Sequence, residues 1–161
     1  MADDSATRVA TDAVEAFNSA DWSRFRELLA ADIVYEETGT QRRVSGRNAY
    51  VELCQGWKQA FPDARGTIHR SVASGDTSVQ EITWTGTHEG ELQTPAGPVP
   101  ASGARIEMRA TFWATVAAEQ VKEARHHLDV LTLLQQVGAL QLRRLTIHTE
   151  TATWSKAGQL E

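Results

Sequence analysis

Hydrophobic positions in this chain follow a helical period before Pro62 and a strand period after it. In the first part, apolar residues recur every three or four positions, which predicts three helices. The first covers about 5–20, the second is capped by Asp21, and the third ends at Pro62. A short strand at 33–37 is predicted between the second and third helices.

Beyond Pro62, apolar and polar residues alternate over long stretches, which is typical of strands with one buried face. The predicted strands are 66–74, 78–92, 104–117 and 120–130. Short links join most of them, and a Pro/Gly-rich connection at 93–103 joins the second to the third. Successive strands with short links favour antiparallel neighbours. The pattern predicts an α+β fold in which three N-terminal helices pack on a strongly curved, mostly antiparallel sheet.

The length and composition fit one globular domain, since the chain has 161 residues, of which 41% are hydrophobic and 23% charged. We assign that domain to 1–140. Residues 141–161 are polar and threonine-rich, and we expect a C-terminal extension that is a tail or an extra strand.

Charge and cysteine content narrow the class of protein further. The net charge of −5 argues against a nucleic-acid partner, which requires a basic face. The single cysteine, Cys54, cannot form an internal disulfide, which suits a reducing cytoplasm. No apolar run is long enough to span a bilayer, and the acidic N-terminus lacks the apolar segment of a signal peptide. We therefore expect a cytoplasmic protein with no membrane partner.

Candidate catalytic residues lie at the end of the last predicted strand. Alternation places His127 and Asp129 on one side of this strand, and His126 and Leu128 on the other. A carboxylate at a strand end under an apolar lid can have its pKa raised and act as a general base, although most such residues are simply solvated. Because adjacent histidines point to opposite faces, we predict no metal site here. His88 is a second candidate, with a turn histidine bonded to backbone as the alternative.

Several segments, in this order and spacing, carry a resemblance to a known family. They are Ala16-Phe-Asn-Ser-Ala-Asp-Trp22, Trp57-Lys-Gln-Ala-Phe-Pro-Asp63, Trp84-Thr-Gly-Thr-His-Glu-Gly-Glu91, Pro95-Ala-Gly-Pro-Val-Pro100 and the stretch 121–138. Together they resemble the SnoaL-like polyketide cyclases of the nuclear-transport-factor-two-like superfamily.

The resemblance implies a cone-shaped barrel with a deep, mostly apolar pocket. It also implies a cyclase that closes a ring by intramolecular aldol condensation of an aromatic or polycyclic polyketide, with no metal and no organic cofactor. Asp129 falls at the position of the family's general acid/base. Aromatic and apolar residues that would line such a pocket, or alternatively belong to the core, are Phe17, Tyr35, Leu53, Trp57, Trp84 and Phe112.

The match has two departures. The family's cyclases commonly pair the aspartate with a histidine on the neighbouring strand, but 104–115 contains none, which leaves His127 or His88 as substitutes. Moreover, burial of Leu128 would turn Asp129 to solvent, whereas the resemblance turns it to the pocket and leaves the apolar face for a subunit contact. The family interpretation therefore predicts a homo-oligomer, a dimer or a tetramer. Isomerisation, epoxide hydrolysis, hydroxylation and non-catalytic binding of a small apolar ligand stay open as alternatives.

Overall fold

Helices precede and flank a long sheet in the computed structural model, which describes residues 2–140. In chain order the elements are α1 (Ala2–Asn18), α2 (Trp22–Glu27), β1 (Leu29–Glu37), β2 (Arg42–Ser45), α3 (Arg47–Ala60), β3 (Arg65–Ser74), β4 (Thr77–Thr87), β5 (Leu92–Thr94), β6 (Gly97–Val99), β7 (Arg105–Ala117), β8 (Gln120–Leu128) and α4 (Val130–Gln136). The predicted extension at 141–161 lies outside the described residues. Among the described helices, none has the length and apolar character needed to cross a membrane.

The main sheet has six strands in the order β2-β1-β8-β7-β4-β3. All neighbours pair antiparallel except β1 and β8, which run parallel. The strands β3, β4, β7 and β8 form the predicted antiparallel arrangement, and α1 packs across β3, β4 and β7. The predicted α+β class with a mostly antiparallel sheet is therefore confirmed.

The core lies between the inner face of this sheet and the stripe of α1 formed by Val9, Ala13 and Phe17, all buried. Along β7, buried and exposed residues alternate, so that Met108 and Phe112 face inward. Burial of one such large apolar side chain stabilises the fold by about 1.5–3 kcal/mol.

The predicted ends of several elements are wrong, and the first errors lie around β1. The strand begins at Leu29 instead of Ile33, because Leu29 packs in the core from an extended backbone rather than from the end of α2. The turn after Glu37 contains the additional strand β2. Likewise β4 ends at Thr87, and the Pro/Gly-rich connection holds the short hairpin β5–β6, whose Leu92 is buried.

The last strand also ends earlier than predicted. β8 stops at Leu128, and Val130 begins α4 instead of extending the strand. Asp129 causes this change of direction, because its side chain accepts a hydrogen bond from the backbone N–H of Thr132 and so caps the helix. Leu133 of α4 then packs against Ile106 and Met108, over one end of the sheet.

Candidate active site

A largely apolar cavity lies between the helices and the inner face of the sheet. Its space between atoms is about 750 Å³, open solvent at the mouth included. The lining includes every residue that the sequence predicts to bind substrate, namely Phe17, Tyr35, Leu53, Trp57, Trp84 and Phe112. The structure thus brings these side chains together around one space, and substrate binding by them stays a prediction.

Two local features of the sequence shape the cavity walls. On α3, Tyr50, Cys54 and Trp57 recur at helical spacing and so present one stripe to the cavity. On the opposite wall, Gly66 of β3 lies against the ring of Trp84, where a Cβ atom would come within 2.8 Å of Trp84 Cζ3. Glycine at position 66 therefore lets the indole lie flat against the strand.

His126 is the one histidine in the part of the cavity lining that the structure describes. It is only partly exposed, and it lies opposite Phe112 in the β7–β8 ladder, with the two ring centroids 5.2 Å apart. Trp84 Nε1 donates a hydrogen bond to His126 Nε2 at 3.1 Å, and Tyr35 Oη lies 3.3 Å from Nδ1. Because Nε2 accepts, the proton of the neutral ring belongs on Nδ1, which then donates to Tyr35.

Burial among aromatic rings controls the charge of His126. Desolvation, with a smaller contribution from neighbouring His127, lowers the pKa of His126 from 6.5 to about 3. The imidazole is therefore neutral at physiological pH. A neutral imidazole can accept a proton from a substrate, although the apolar surroundings oppose a lasting positive charge.

The hydrogen bonds continue from His126 to a buried carboxylate. Tyr35 Oη donates to Glu37 Oε2 at 3.1 Å, and Glu37 is only 1% exposed. Thr40 Oγ1 donates to the other carboxylate oxygen, and the Arg42 guanidinium lies 3.8 Å from it. Each oxygen of this carboxylate thus accepts one hydroxyl hydrogen bond, and a cation lies near one of them.

We name the series Trp84, His126, Tyr35 and Glu37 the relay chain. With the ring proton of His126 on Nδ1, each member donates to the next, so the chain has one consistent direction. It follows from strand geometry, because Tyr35 and Glu37 alternate onto one face of β1 and Glu37 pairs with His126 across the β1–β8 ladder. Burial raises the pKa of Tyr35 well above its ordinary value, so its hydroxyl stays protonated.

Asp129 does not line this cavity. Its side chain is exposed and caps α4, with Oδ1 accepting from Thr132 N at 3.1 Å. These hydrogen bonds lower the pKa of Asp129, so the predicted upward shift is wrong. The burial argument, which turned Asp129 to solvent and Leu128 inward, describes the local geometry correctly.

The two other predicted catalytic residues also lie outside the described cavity lining. His127 is exposed on the outer face, where its Nδ1 lies 3.2 Å from Thr38 Oγ1. His88 is buried, stacks on Phe61 and accepts the Ser102 backbone N–H at Nδ1. Desolvation lowers the pKa of His88. His88 thereby ties the end of β4 to the connection before β7, which matches the alternative of a turn histidine bonded to backbone.

Sequence reasoning missed the position of His126 in the cavity wall and the burial of Glu37 behind it. The available signal was that His126 alternates with Ala124 and Leu128, which are apolar and face inward. Cys54 is buried and its pKa is raised by desolvation, so the thiol stays protonated and serves packing. Within 2–140, no group of histidine, cysteine, aspartate and glutamate side chains has the arrangement of a metal site.

The family assignment follows from a sequence comparison. The family model of the SnoaL-like polyketide cyclases matches residues 7–137, and the chain belongs to that family. Among curated proteins, none matches the sequence significantly.

Solved structures with the same fold come from several kinds of protein. IdmH, a candidate polyketide cyclase from Streptomyces antibioticus, is 28% identical with a TM-score of 0.71, over 83% of this chain and 98% of that one. AclR, a candidate hydroxylase from Streptomyces galilaeus, is 26% identical with a TM-score of 0.72, over 84% and 97%. An epoxide hydrolase of the LEH-like type from M. tuberculosis is 18% identical with a TM-score of 0.67, over 85% and 92%, and shares the fold.

Proposed function

We propose that this protein is a cofactor-free acid–base enzyme that closes a ring by intramolecular aldol condensation, with His126 as the general base. The observation that carries the proposal is a histidine inside an apolar, aromatic-lined cavity, where burial lowers the pKa of the imidazole and so keeps it neutral. Membership of a cyclase family and similarity to a candidate polyketide cyclase support the type of reaction. The proposal transfers the role expected of Asp129 to His126.

The composition of the cavity wall favours a substrate that is uncharged and flat. No lysine, arginine, aspartate or glutamate belongs to the described lining, so a carboxylate or phosphate on the substrate would find no counter-ion there. The rings of Phe17, Trp57, Trp84 and Phe112 offer surfaces for a polycyclic aromatic compound. A polyketide-like ester or ketone fits both conditions.

In the proposed step, His126 Nε2 removes a proton from a carbon between two carbonyl groups. The substrate must first displace the contact between Trp84 Nε1 and His126 Nε2. The indole N–H is then free to donate to the enolate oxygen as its charge develops. The enolate carbon attacks a ketone of the same molecule, and the resulting alkoxide takes the proton back from His126 Nε2, which restores the neutral base. A positioned base contributes about 10²–10⁴-fold, and the cavity supplies the proximity of the two ends.

A non-catalytic binder of a small apolar ligand is the second candidate. Both ring nitrogens of His126 have hydrogen-bond partners in the structure, which favours a positioning role over proton transfer. Isomerisation on the same site would use the same base and return the proton to another carbon of the substrate.

The test is hydrogen–deuterium exchange at the activated carbon of a bicyclic aromatic β-ketoester (the methyl ester of a tetralone carboxylic acid), followed by NMR above the buffer background. His126→Gln keeps an acceptor for Trp84 and a donor for Tyr35 but cannot take the proton. We expect exchange to fall by about 100-fold or more in this variant. His127→Gln is the matched control on the outer face and should exchange as the wild type does.

Two outcomes would contradict the proposal. Loss of exchange in Asp129→Asn with retention in His126→Gln would return the base to Asp129. Absence of exchange above background in the wild type, together with measurable binding of the same β-ketoester, would favour the binding protein.

A further inference from the structure

We propose that, as His126 Nε2 takes a proton from the substrate, the Nδ1 proton of the same ring passes to Tyr35 and the Tyr35 hydroxyl proton passes to Glu37. This inference rests on the proposed function and extends it. Glu37 does not touch the cavity, and nothing in the resemblance points to it. What points to it is its place at the end of the relay chain.

The distances fit transfer over two hydrogen bonds. Tyr35 Oη lies 3.3 Å from His126 Nδ1 and 3.1 Å from Glu37 Oε2, so one hydroxyl bridges base and carboxylate. Tyr35 is held by stacking on Tyr50, with ring centroids 4.4 Å apart and an angle of 21° between the planes. A bridging hydroxyl fixed in this way can pass one proton on while it accepts another.

The aromatic surroundings of His126 explain why the relay chain would carry a proton away from the imidazole. Three aromatic rings surround the imidazole, with centroids 5.2 Å away for Phe112, 5.8 Å for Trp84 and 6.3 Å for Tyr35. A positive charge held there would lack solvation. Transfer of the Nδ1 proton towards a carboxylate avoids that charge, because the imidazole ends neutral with its proton on Nε2.

The step balances in atoms and charge. The substrate C–H bond breaks, its electron pair remains as the enolate, and the proton bonds to His126 Nε2. The Nδ1–H bond breaks as Tyr35 Oη takes that proton, and the hydroxyl proton of Tyr35 passes to Glu37 Oε2. Glu37 becomes a neutral acid while the substrate becomes an anion. Reversal of the same transfers returns the proton to the alkoxide formed by ring closure.

The environment of Glu37 suits a group that holds a proton for part of each turnover. Its side chain is fully buried, so the proton is not lost to bulk water. Thr40 and Arg42 fix the other oxygen, Oε1, and leave Oε2 directed at Tyr35.

The experiment compares Tyr35→Phe, Glu37→Gln and the double variant in the same β-ketoester exchange assay. Tyr35→Phe keeps the ring stack but removes the bridging hydroxyl. Glu37→Gln keeps an oxygen acceptor of the same size but not a carboxylate. We expect kcat to fall by about 100-fold in each single variant while KM stays within about twofold. Because both changes interrupt one path, the double variant should lose no more than either single variant.

Glu36→Gln is the matched control, since Glu36 precedes Glu37 on β1 but pairs with Arg43 and Arg125 on the exposed face. It should retain wild-type kcat. If His126→Gln is inactive while Tyr35→Phe and Glu37→Gln keep wild-type kcat, the relay is overturned and the proposed function stands. If His126→Gln keeps wild-type exchange, both fail. Should Glu37→Gln not fold, Tyr35→Phe decides the matter, because it leaves Glu37 and its bonds to Thr40 and Arg42 in place.

Discussion

His126 and His127 are consecutive residues of one strand, and they differ in every property that matters for chemistry. His126 faces the cavity, contacts three aromatic rings and is held at both ring nitrogens. His127 faces outward, is exposed and has Thr38 as its side-chain partner. The pleat of the strand alone separates them. The comparison teaches that the face of β8 decides which titratable groups can serve a site.

The same division extends along β8. Ala124, His126 and Leu128 form the inner face, and Ala124 is buried in the core. Glu123, Arg125 and His127 form the exposed outer face, and Asp129 continues on that side as the cap of α4. If this division is correct, substitutions on the inner face change chemistry and acid stability, whereas substitutions on the outer face change stability only slightly.

The largest expected difference between the two histidines is their effect on the free energy of unfolding in acid. In the unfolded chain His126 binds a proton near its ordinary pKa of 6.5, but in the folded protein it does so only near 3. As pH falls through this window, the unfolded state therefore takes up a proton that the folded state does not. The free energy of unfolding then falls by up to about 1.4 kcal/mol per pH unit.

Urea unfolding of wild type and His126→Gln at pH 7 and pH 4 measures this effect. The wild type should lose about 3 kcal/mol more than the variant over that range. Protonation of carboxylates with lowered pKa, such as Asp129 and Asp63, also lowers the free energy of unfolding in acid. This contribution is the same in the wild type and in His126→Gln. Parallel losses in the two proteins would show that His126 is not held neutral. His127→Gln is the control and should keep most of the wild-type loss, because desolvation outweighs the contribution of His127 to the pKa of His126.

Much of the fold could be predicted from the sequence because it depends on periodicity. The change of period at Pro62 predicts that strands follow the third helix, and the alternation along β7 predicts one buried face. Both predictions are confirmed. β2 and the β5–β6 hairpin were missed because they are short and polar or rich in Pro and Gly. Their strand character depends on pairing with partners, which local sequence does not encode.

The site was predictable only in part, for a physical reason. The aromatic lining follows from burial, and the predicted residues all reach the cavity. The relay chain depends on the register of the parallel β1–β8 pair, which brings Glu37 beside His126. The paired residues Glu37 and His126 lie far apart in the sequence, so no local pattern reveals this contact. Asp129 was predicted as a general base because the sequence does not distinguish an aspartate in a pocket from an aspartate that caps a helix through the backbone N–H three residues later.

An intermediate effect is expected at Asp129, on the outer side. Asp129→Ala removes the cap of α4 and should lower the free energy of unfolding by about 1 kcal/mol. Asp129→Asn keeps a capping oxygen and should cost only a few tenths of that amount. Both variants should exchange the β-ketoester as the wild type does, because the side chain does not reach the cavity. A 100-fold loss of exchange in Asp129→Ala would break the comparison between the two faces.

The smallest effect is expected at Arg125, in the middle of the outer face. Its Nε lies 3.5 Å from Glu36 Oε2, and its side chain is 59% exposed, so water and salt screen the pair. Arg125→Ala should therefore change the free energy of unfolding by no more than about 0.5 kcal/mol, and 1 M salt should remove the difference.

Trp113, which pairs with Arg125 across β7 and β8, is 43% exposed on this face. A homo-oligomer that covered the face would give a larger loss that grows with protein concentration, because the charge pair would then be buried at a subunit contact. Urea unfolding of Arg125→Ala at two concentrations thus tests the solvated outer face and the predicted oligomer in one measurement.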